Sequence, residues 1–187
     1  MRVIAGIAKK SRLKIPRGWK GRPTADRVKE SLFNILSPLI PGSCFLDLYA
    51  GTGNVGIEAL SRGAQRVVFV ERDKKAVRVI RDNLVHVGFS ERAELLAQDV
   101  FLALRQLGGQ SFDVIFLDPP YGQGLELPTL EAIERYGLLA RGGVVVAEST
   151  RRQVLPGEVG WLVRYRQHQV GDTMLSFYKH GAVGEED

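Results

Sequence analysis

The chain has 187 residues, of which 44% are hydrophobic and 25% charged, and its net charge is +5. This composition is typical of a globular protein and excludes a disordered, fibrous or membrane-embedded chain. The single cysteine, Cys44, excludes an internal disulfide, and no stretch is apolar for long enough to span a bilayer. We therefore expect one domain over residues 1–187, in the cytoplasm and without a membrane partner.

The excess positive charge lies at the amino-terminal end. Residues 1–30 hold ten Lys or Arg and two acidic residues, whereas the other 157 residues carry 16 basic and 19 acidic side chains. A basic end on a near-neutral body is typical of a surface that contacts a polyanion. Charge alone leaves two interpretations open, a nucleic-acid contact and a solvated face without a partner.

Residues 1–22 are predicted to form a basic β-hairpin and linker, because the short apolar runs RVIAGI and RLKIP flank the polar AKKS. The catalytic core is predicted over 23–180, and 181–187 are predicted to be a frayed tail. The candidate RNA contacts are the basic residues of the extension and of the start of the first helix: Arg2, Lys9, Lys10, Arg12, Lys14, Arg22 and Arg27.

Apolar strands alternate with amphipathic helices from Cys44 onward. The predicted strands cover 44–50, 66–72, 93–99, 112–118 and 142–150. Such alternation specifies a doubly wound, mostly parallel α/β sheet that is covered by helices on both faces. The last two strand-like runs have no helix between them, so we predict that they close the sheet as an antiparallel hairpin over 161–170 and 173–180.

A glycine loop follows the first strand, at the edge of the sheet where ligands bind. Gly51, Gly53 and Gly56 form a G-x-G-x-x-G, and Glu71 stands twenty residues after Gly51. This spacing matches a nucleotide-binding pattern, in which the glycines allow close approach of a ligand to the backbone. A tight strand-to-helix turn is the alternative interpretation.

Carboxylates at the ends of the first four strands indicate which nucleotide binds. Asp47, four residues before the glycine loop, would repel a diphosphate and attract an ammonium group. Glu71 suits ribose hydroxyls, and Asp99 suits the amino group of adenine. With Asp118 they create a negative field that favours S-adenosyl-L-methionine, which carries an ammonium and a sulfonium but no phosphate. Asp47, Gly51, Gly53, Glu71 and Asp99 are therefore the predicted cofactor-binding residues.

The motif Asp118-Pro119-Pro120-Tyr121 after the fourth strand supplies the predicted catalytic residues. An aryl amine is a poor nucleophile because its lone pair is delocalised into the ring. Hydrogen bonds to a carboxylate and to a carbonyl that the prolines hold rigid would aim that lone pair at a methyl group. Tyr121 offers a flat face on which an extruded base can stack. A rigid turn is the alternative interpretation.

Several longer blocks resemble the RsmD-type 16S ribosomal RNA (guanine-N2) methyltransferases. They are MRVIAG, RPTADRVKESLFNIL, FLDLYAGTGNVGIEALSRGA, FDVIFLDPPY and GDTMLSFYK, which stand at the family's spacings along nearly the whole chain. The resemblance implies a Rossmann-like methyltransferase fold with a seven-stranded sheet and S-adenosyl-L-methionine as cofactor. No metal is expected, because His86, His168 and His180 lack metal-ligand spacing. It also implies that the substrate is a guanine of small-subunit ribosomal RNA, met within a ribosomal particle and methylated on its exocyclic N2.

Without the resemblance, the residues indicate only a methyltransferase that acts on an amine, with nucleic acid as the expected substrate. An N6-adenine methyltransferase would share this chemistry. A nicotinamide-dependent oxidoreductase would explain the glycines but not the DPPY motif, and an inactive binding protein would leave the intact Asp118 unexplained. The first helix begins near Arg22, Thr24 and Arg27, and the free N–H groups at a helix start favour an anion. That anion is either an RNA phosphate or the carboxylate of the cofactor, and the sequence does not separate the two.

Overall fold

A computed structural model of the chain describes residues 1–18 and 24–182. Five α-helices occur in these residues: α1 (Asp26–Leu36), α2 (Asn54–Ser61), α3 (Lys74–Val87), α4 (Val100–Gln106) and α5 (Glu126–Arg135). The strands there are β1 (Cys44–Leu48), β2 (Arg66–Val70), β3 (Ala93–Leu96), β4 (Phe112–Leu117), β5 (Leu139–Thr150), β6 (Glu158–Val159), β7 (Leu162–Val170) and β8 (Thr173–His180). Among the described residues, no helix has both the length and the apolarity needed to cross a membrane.

The strands form one mixed sheet in the order β3-β2-β1-β4-β5-β8-β7-β6. Strands β1 to β5 pair in parallel, and β5, β8, β7 and β6 pair antiparallel. The predicted mostly parallel α/β sheet with a closing antiparallel hairpin is confirmed. Within the described residues the sheet has eight strands instead of the predicted seven, because Glu158–Val159 adds a short edge strand. Two residues are too few to produce a hydrophobic period in the sequence.

Helices cover the parallel strands on both faces. Side chains of α1, α2 and α3 pack on one face, where they meet Val67 and Phe69 of β2. Those of α4 and α5 pack on the other face against Val68 and Val70. Alternate residues of each strand therefore enter different cores, which explains why these strands are apolar throughout. Burying each such side chain stabilises the fold by about 1.5–3 kcal/mol.

The amino-terminal segment is not a two-stranded hairpin, and that prediction is not confirmed. It contains one isolated antiparallel bridge, between Arg2 and Arg12. Two backbone hydrogen bonds form it, from the Val3 N–H to the Ser11 carbonyl (2.9 Å) and from the Leu13 N–H to the Met1 carbonyl (3.1 Å). Val3 and Leu13 are buried in the core with α1 and α2. The segment is thus packed against the sheet domain instead of projecting as a separate arm.

A buried ion pair fixes this segment to α1 and α2. The side chains of Lys29 and Glu58 are fully buried, with Nζ 3.2 Å from Oε2. Lys29 also donates to the carbonyl of Arg2 (2.6 Å), while Glu58 accepts the N–H groups of Ile4 (2.9 Å) and Ala5 (3.0 Å). Burial lowers the pKa of Lys29, and the facing Glu58 opposes that shift. Breaking such a pair typically costs about 3–5 kcal/mol, so the segment depends on it.

The basic turn of this segment lies toward the end of α2 that is distant from the glycine loop. The N–H groups of Ile7 and Ala8 bond to the carbonyl (2.9 Å) and hydroxyl (3.0 Å) oxygens of Ser61, the last residue of α2. Helix α2 begins right after the glycine loop and spans about 10 Å along its axis to this residue. Lys9 and Lys10, which follow directly, are therefore well separated from the carboxyl ends of the strands.

Candidate active site

A cavity of about 620 Å³ opens at the carboxyl ends of β1, β2 and β4. The chain order of the sheet reverses between β1 and β4, and ligands of open α/β sheets bind at such switch points. The cavity is lined by eight of the nine residues predicted for cofactor and catalysis: Asp47, Gly51, Glu71, Asp99, Asp118, Pro119, Pro120 and Tyr121. The sequence therefore located the cavity, and both predicted groups of residues meet in it.

The three glycines of the loop have different positions and tasks. Gly51 lines the cavity with φ 59°. Gly53 precedes α2 with φ 78° and does not line the cavity. Gly56 lies inside α2, where an added Cβ would stand 2.2 Å from Cε1 of Phe69. Gly51 and Gly53 thus allow the left-handed turn, and Gly56 allows the helix to pack closely on the sheet.

Asp47 is buried in the wall of the cavity, with 1% of its surface exposed. Its Oδ2 accepts the N–H of Gly56 at 2.9 Å. Burial raises the pKa of Asp47 to about 7, the hydrogen bond from Gly56 opposes the shift, and repulsion from Glu71 adds to it. The carboxyl is therefore about half ionised at neutral pH, and a cation in the cavity would favour its charged form.

Glu71 and Asp99 hold backbone groups at the rim. Glu71 accepts the N–H groups of Gly51 and Asp73, both at 2.8 Å, and so fixes the shape of the glycine loop. Asp99 is the N-cap of α4, where it accepts the N–H of Phe101 at 2.9 Å. A carboxylate oxygen has more than one acceptor site, so these bonds leave capacity for the hydroxyl and amino groups of a nucleoside.

The Asp-Pro-Pro-Tyr segment forms another part of the cavity wall. Asp118 directly follows β4 and is partly buried, Pro119 is buried, and Pro120 is exposed. The Tyr121 side chain is 39% exposed, and its hydroxyl lies 3.5 Å from Oε1 of Glu148. A planar, accessible ring next to a carboxylate at a strand end is a suitable platform for a base.

Two lining residues were missed by the sequence reasoning. Glu148, on β5, is 3% exposed and lies near Tyr121. An acidic residue near the carboxyl end of the fifth strand was the available signal, since the same signal identified the first four. Tyr49 adopts φ 59°, and its hydroxyl lies 2.7 Å from Oγ1 of Thr129. Burial raises the pKa of Tyr49. No sequence pattern predicts that a tyrosine adopts the left-handed backbone conformation.

The described members of the predicted RNA contacts do not line this cavity. Six are exposed and none of those six lines it: Arg2, Lys9, Lys10, Arg12, Lys14 and Arg27. Arg22, the seventh, lies outside the described residues. Thr24 and Ala25, just before α1, do line the cavity. Within residues 1–18 and 24–182 no group of three or more His, Cys, Asp or Glu could hold a metal ion.

Comparison with known proteins decides the family. A family model described as "Conserved hypothetical protein 95", the RsmD family, matches residues 1–179. The chain belongs to the RsmD family. YlbH of Bacillus subtilis (strain 168) is 41% identical to it over 181 residues, covering 96% of this chain and 98% of that protein. The Haemophilus influenzae "Ribosomal RNA small subunit methyltransferase D" is 36% identical over 180 residues, covering 90% of this chain and 93% of that protein.

Solved structures agree with this assignment. The Escherichia coli protein yhhF superposes with a TM-score of 0.86 at 32% identity, covering 97% of this chain and 98% of that chain. An RNA methyltransferase from Salinibacter ruber, solved in complex with S-adenosyl-L-homocysteine, shares the fold with a TM-score of 0.67 at 20% identity, covering 89% and 98%. As an RsmD-family member, the chain is a methyltransferase that depends on S-adenosyl-L-methionine, as the sequence predicted. The oxidoreductase and inactive-protein interpretations are thereby excluded.

Proposed function

We propose that this RsmD-family protein methylates the exocyclic N2 amine of a guanine in small-subunit ribosomal RNA. The observation that carries the proposal is the meeting of two groups in one cavity. Carboxylates suited to a cationic nucleoside line the cavity together with the Asp118-Pro119-Pro120-Tyr121 segment. The relatives named ribosomal RNA small subunit methyltransferase D support the choice of RNA and of the small subunit.

The lining residues fit S-adenosyl-L-methionine. Asp47 would accept the ammonium group, since its buried carboxylate gains most from a positive neighbour. Glu71 would hold the ribose hydroxyls, and Asp99 would accept from the amino group of adenine. When bound, the cofactor supplies a methyl group that its sulfonium makes electrophilic. The remaining task of the protein is to present an amine nitrogen to that methyl group.

Asp118 would accept a hydrogen bond from the amine. The two prolines keep the backbone after it rigid, so a carbonyl there is a preorganised second acceptor. Together these acceptors orient the nitrogen lone pair, and Tyr121 supports the base from its face. The proton leaves the nitrogen after methyl transfer, to Asp118 or to water. Holding nitrogen and methyl at roughly 3–3.5 Å would supply much of the acceleration.

The exposed basic residues of the amino-terminal segment would contact RNA phosphates. Lys9, Lys10 and Arg12 lie outside the cavity, so they suit nucleotides that are distant from the methylated base. A substrate that reaches both places must extend beyond the methylated nucleotide, and we propose that it is a ribosomal particle. Such a particle is assembled in the cytoplasm, which suits the predicted location.

A transfer assay tests the proposal. Ribosomal small subunits and free rRNA from a strain without this enzyme are incubated with methyl-labelled S-adenosyl-L-methionine and the protein. Label is expected in small-subunit rRNA, with Asp118→Ala as the inactive control. Labelling of DNA or large-subunit rRNA instead would contradict the proposal, and labelling of adenine would favour the N6-adenine alternative.

A further inference from the structure

We infer that Glu148 reads the Watson–Crick edge of the target guanine by accepting its N1–H, beside Asp118, which accepts from the N2 amine. The inference rests on the proposed function and adds a specificity-determining residue to it. Two features support it, the position of Glu148 in the sheet and the different hydrogen-bonding groups at N1 of guanine and adenine.

Strand register places Glu148 beside Asp118. Phe116 of β4 pairs in parallel with Val146 of β5, and both side chains belong to the core on the α1–α3 face. Alternate residues of a strand face the same side, so Asp118 and Glu148, each two residues further on, continue this pair. Neighbouring strands are about 4.8 Å apart, so the side chains of Asp118 and Glu148 are close enough to contact one base in the cavity.

The same face carries the cofactor carboxylate. Asp47 of β1 pairs with Phe116 of β4, and its strand neighbour Phe45 belongs to the same core as Phe116. Asp47, Asp118 and Glu148 therefore follow one another across three adjacent strands, and all three line the cavity. Glu148 is the member farthest from the cofactor residues, on the side where Tyr121 would support the base.

Glu148 is a carboxylate in the wall of the cavity, close to Tyr121. It is 3% exposed, and the Tyr121 hydroxyl lies 3.5 Å from its Oε1. A base that stacks on Tyr121 would present its polar edge to this carboxylate.

Guanine and adenine differ at the atom that Glu148 would meet. Guanine presents N1–H and N2–H as neighbouring donors, which two adjacent carboxylates can both accept. Adenine presents a bare N1 acceptor, whose lone pair would face the negative charge of Glu148. Sites built to hydrogen-bond a donor strongly reject the analogue that lacks it, because the buried acceptor then has no partner. Glu148 would thus separate guanine from adenine at a site whose amine-directed chemistry suits both bases.

The test replaces the methylated guanosine, once mapped, by 2-aminopurine in reconstituted small subunits. This base keeps the 2-amino group but has an unprotonated N1. The wild type is expected to prefer guanine on the order of 100-fold. Glu148→Gln, whose amide can donate, should lose guanine activity and narrow that preference at least tenfold. Glu126→Gln is the matched control, since Glu126 is fully buried but does not line the cavity.

The outcomes separate this inference from the proposed function. If the wild type does not methylate guanine in the unmodified particle, the proposed function fails. If the wild type methylates guanine and 2-aminopurine equally well, the inference is overturned without any variant. If Glu148→Gln keeps the wild-type preference while both rates fall together, Glu148 is structural and the inference is overturned. Binding of S-adenosyl-L-homocysteine to each variant shows that the cofactor side is intact.

Discussion

Affinity for the cofactor should depend on pH through Asp47. In the ligand-free protein, burial raises the pKa of this carboxyl to about 7, with repulsion from Glu71 in the same direction. If Asp47 binds the ammonium group, it must be ionised in the complex. Below pH 7 binding must then release a proton, and affinity must fall as the pH falls.

The size of the effect follows from the fraction of ionised Asp47. With a pKa of about 7, half of the molecules are ionised at pH 7 and about 3% at pH 5.5. Apparent affinity scales with the binding-competent fraction, so it should weaken about 15-fold between these pH values, which corresponds to about 1.6 kcal/mol. The comparison is made at and below pH 7, where the ammonium group of the ligand stays protonated.

Calorimetry with S-adenosyl-L-homocysteine, which carries the same ammonium group, measures this dependence. Wild type and Asp47→Asn are titrated between pH 5.5 and pH 7 in buffers of different ionisation enthalpy, so that proton release is counted. Asp47→Asn retains an acceptor for the Gly56 N–H, and it should bind more weakly at pH 7 with an almost flat pH profile. An equally steep profile in both proteins, or a flat one in the wild type, would refute the placement of the ammonium at Asp47.

Four further variants test the Asp-Pro-Pro-Tyr segment and the basic amino-terminal residues. Asp118→Ala should bind S-adenosyl-L-homocysteine almost normally and lose turnover equivalent to about 2–4 kcal/mol in the barrier, and near-normal single-turnover rates would refute its role as the amine acceptor. Tyr121→Phe should retain most of the activity and Tyr121→Ala should not, because the ring face supports the base; equal losses in steady-state assays would show that the hydroxyl matters. Replacement of Lys9, Lys10, Arg12 and Lys14 by Gln should lower RNA affinity and flatten its dependence on salt, as filter binding measures. The slope of log affinity against log salt concentration should fall by roughly 0.7 for each phosphate contact that is lost. Cofactor affinity and Tm should hardly change in that variant, because exposed charges stabilise a fold little; loss of cofactor binding would contradict the separation of the two surfaces.

Wherever side chains repeat a pattern over several residues, the sequence was sufficient to predict the fold. The apolar runs of β1, β2 and β4 and the apolar stripes of the helices predicted a parallel sheet that helices cover. The carboxylates at the strand ends predicted that the ligand site lies at one edge of that sheet. Glu158–Val159 could not be found in this way, because a two-residue strand depends on its partner. The predicted amino-terminal hairpin is not confirmed, since the segment has a single antiparallel bridge and is held by two buried anchors, Val3 and Leu13.

The site was predictable as a set of residues but not as a set of contacts. Asp47 and Glu71 were identified by position, yet their bonds to Gly56 and Gly51 depend on how the loop folds back. The ion pair of Lys29 with Glu58 joins residues 29 positions apart that carry no motif. Glu148 was overlooked because a register between strands, and not a spacing along the chain, places it beside Asp118.

The identity of the modified nucleoside tests the central claim most directly. Small-subunit rRNA from particles treated with the protein is digested to nucleosides and analysed by mass spectrometry, beside rRNA from untreated particles. The proposed function predicts that N2-methylguanosine appears, at one position of that RNA. N6-methyladenosine, or no new methylated nucleoside in an enzyme that binds S-adenosyl-L-homocysteine, would contradict it.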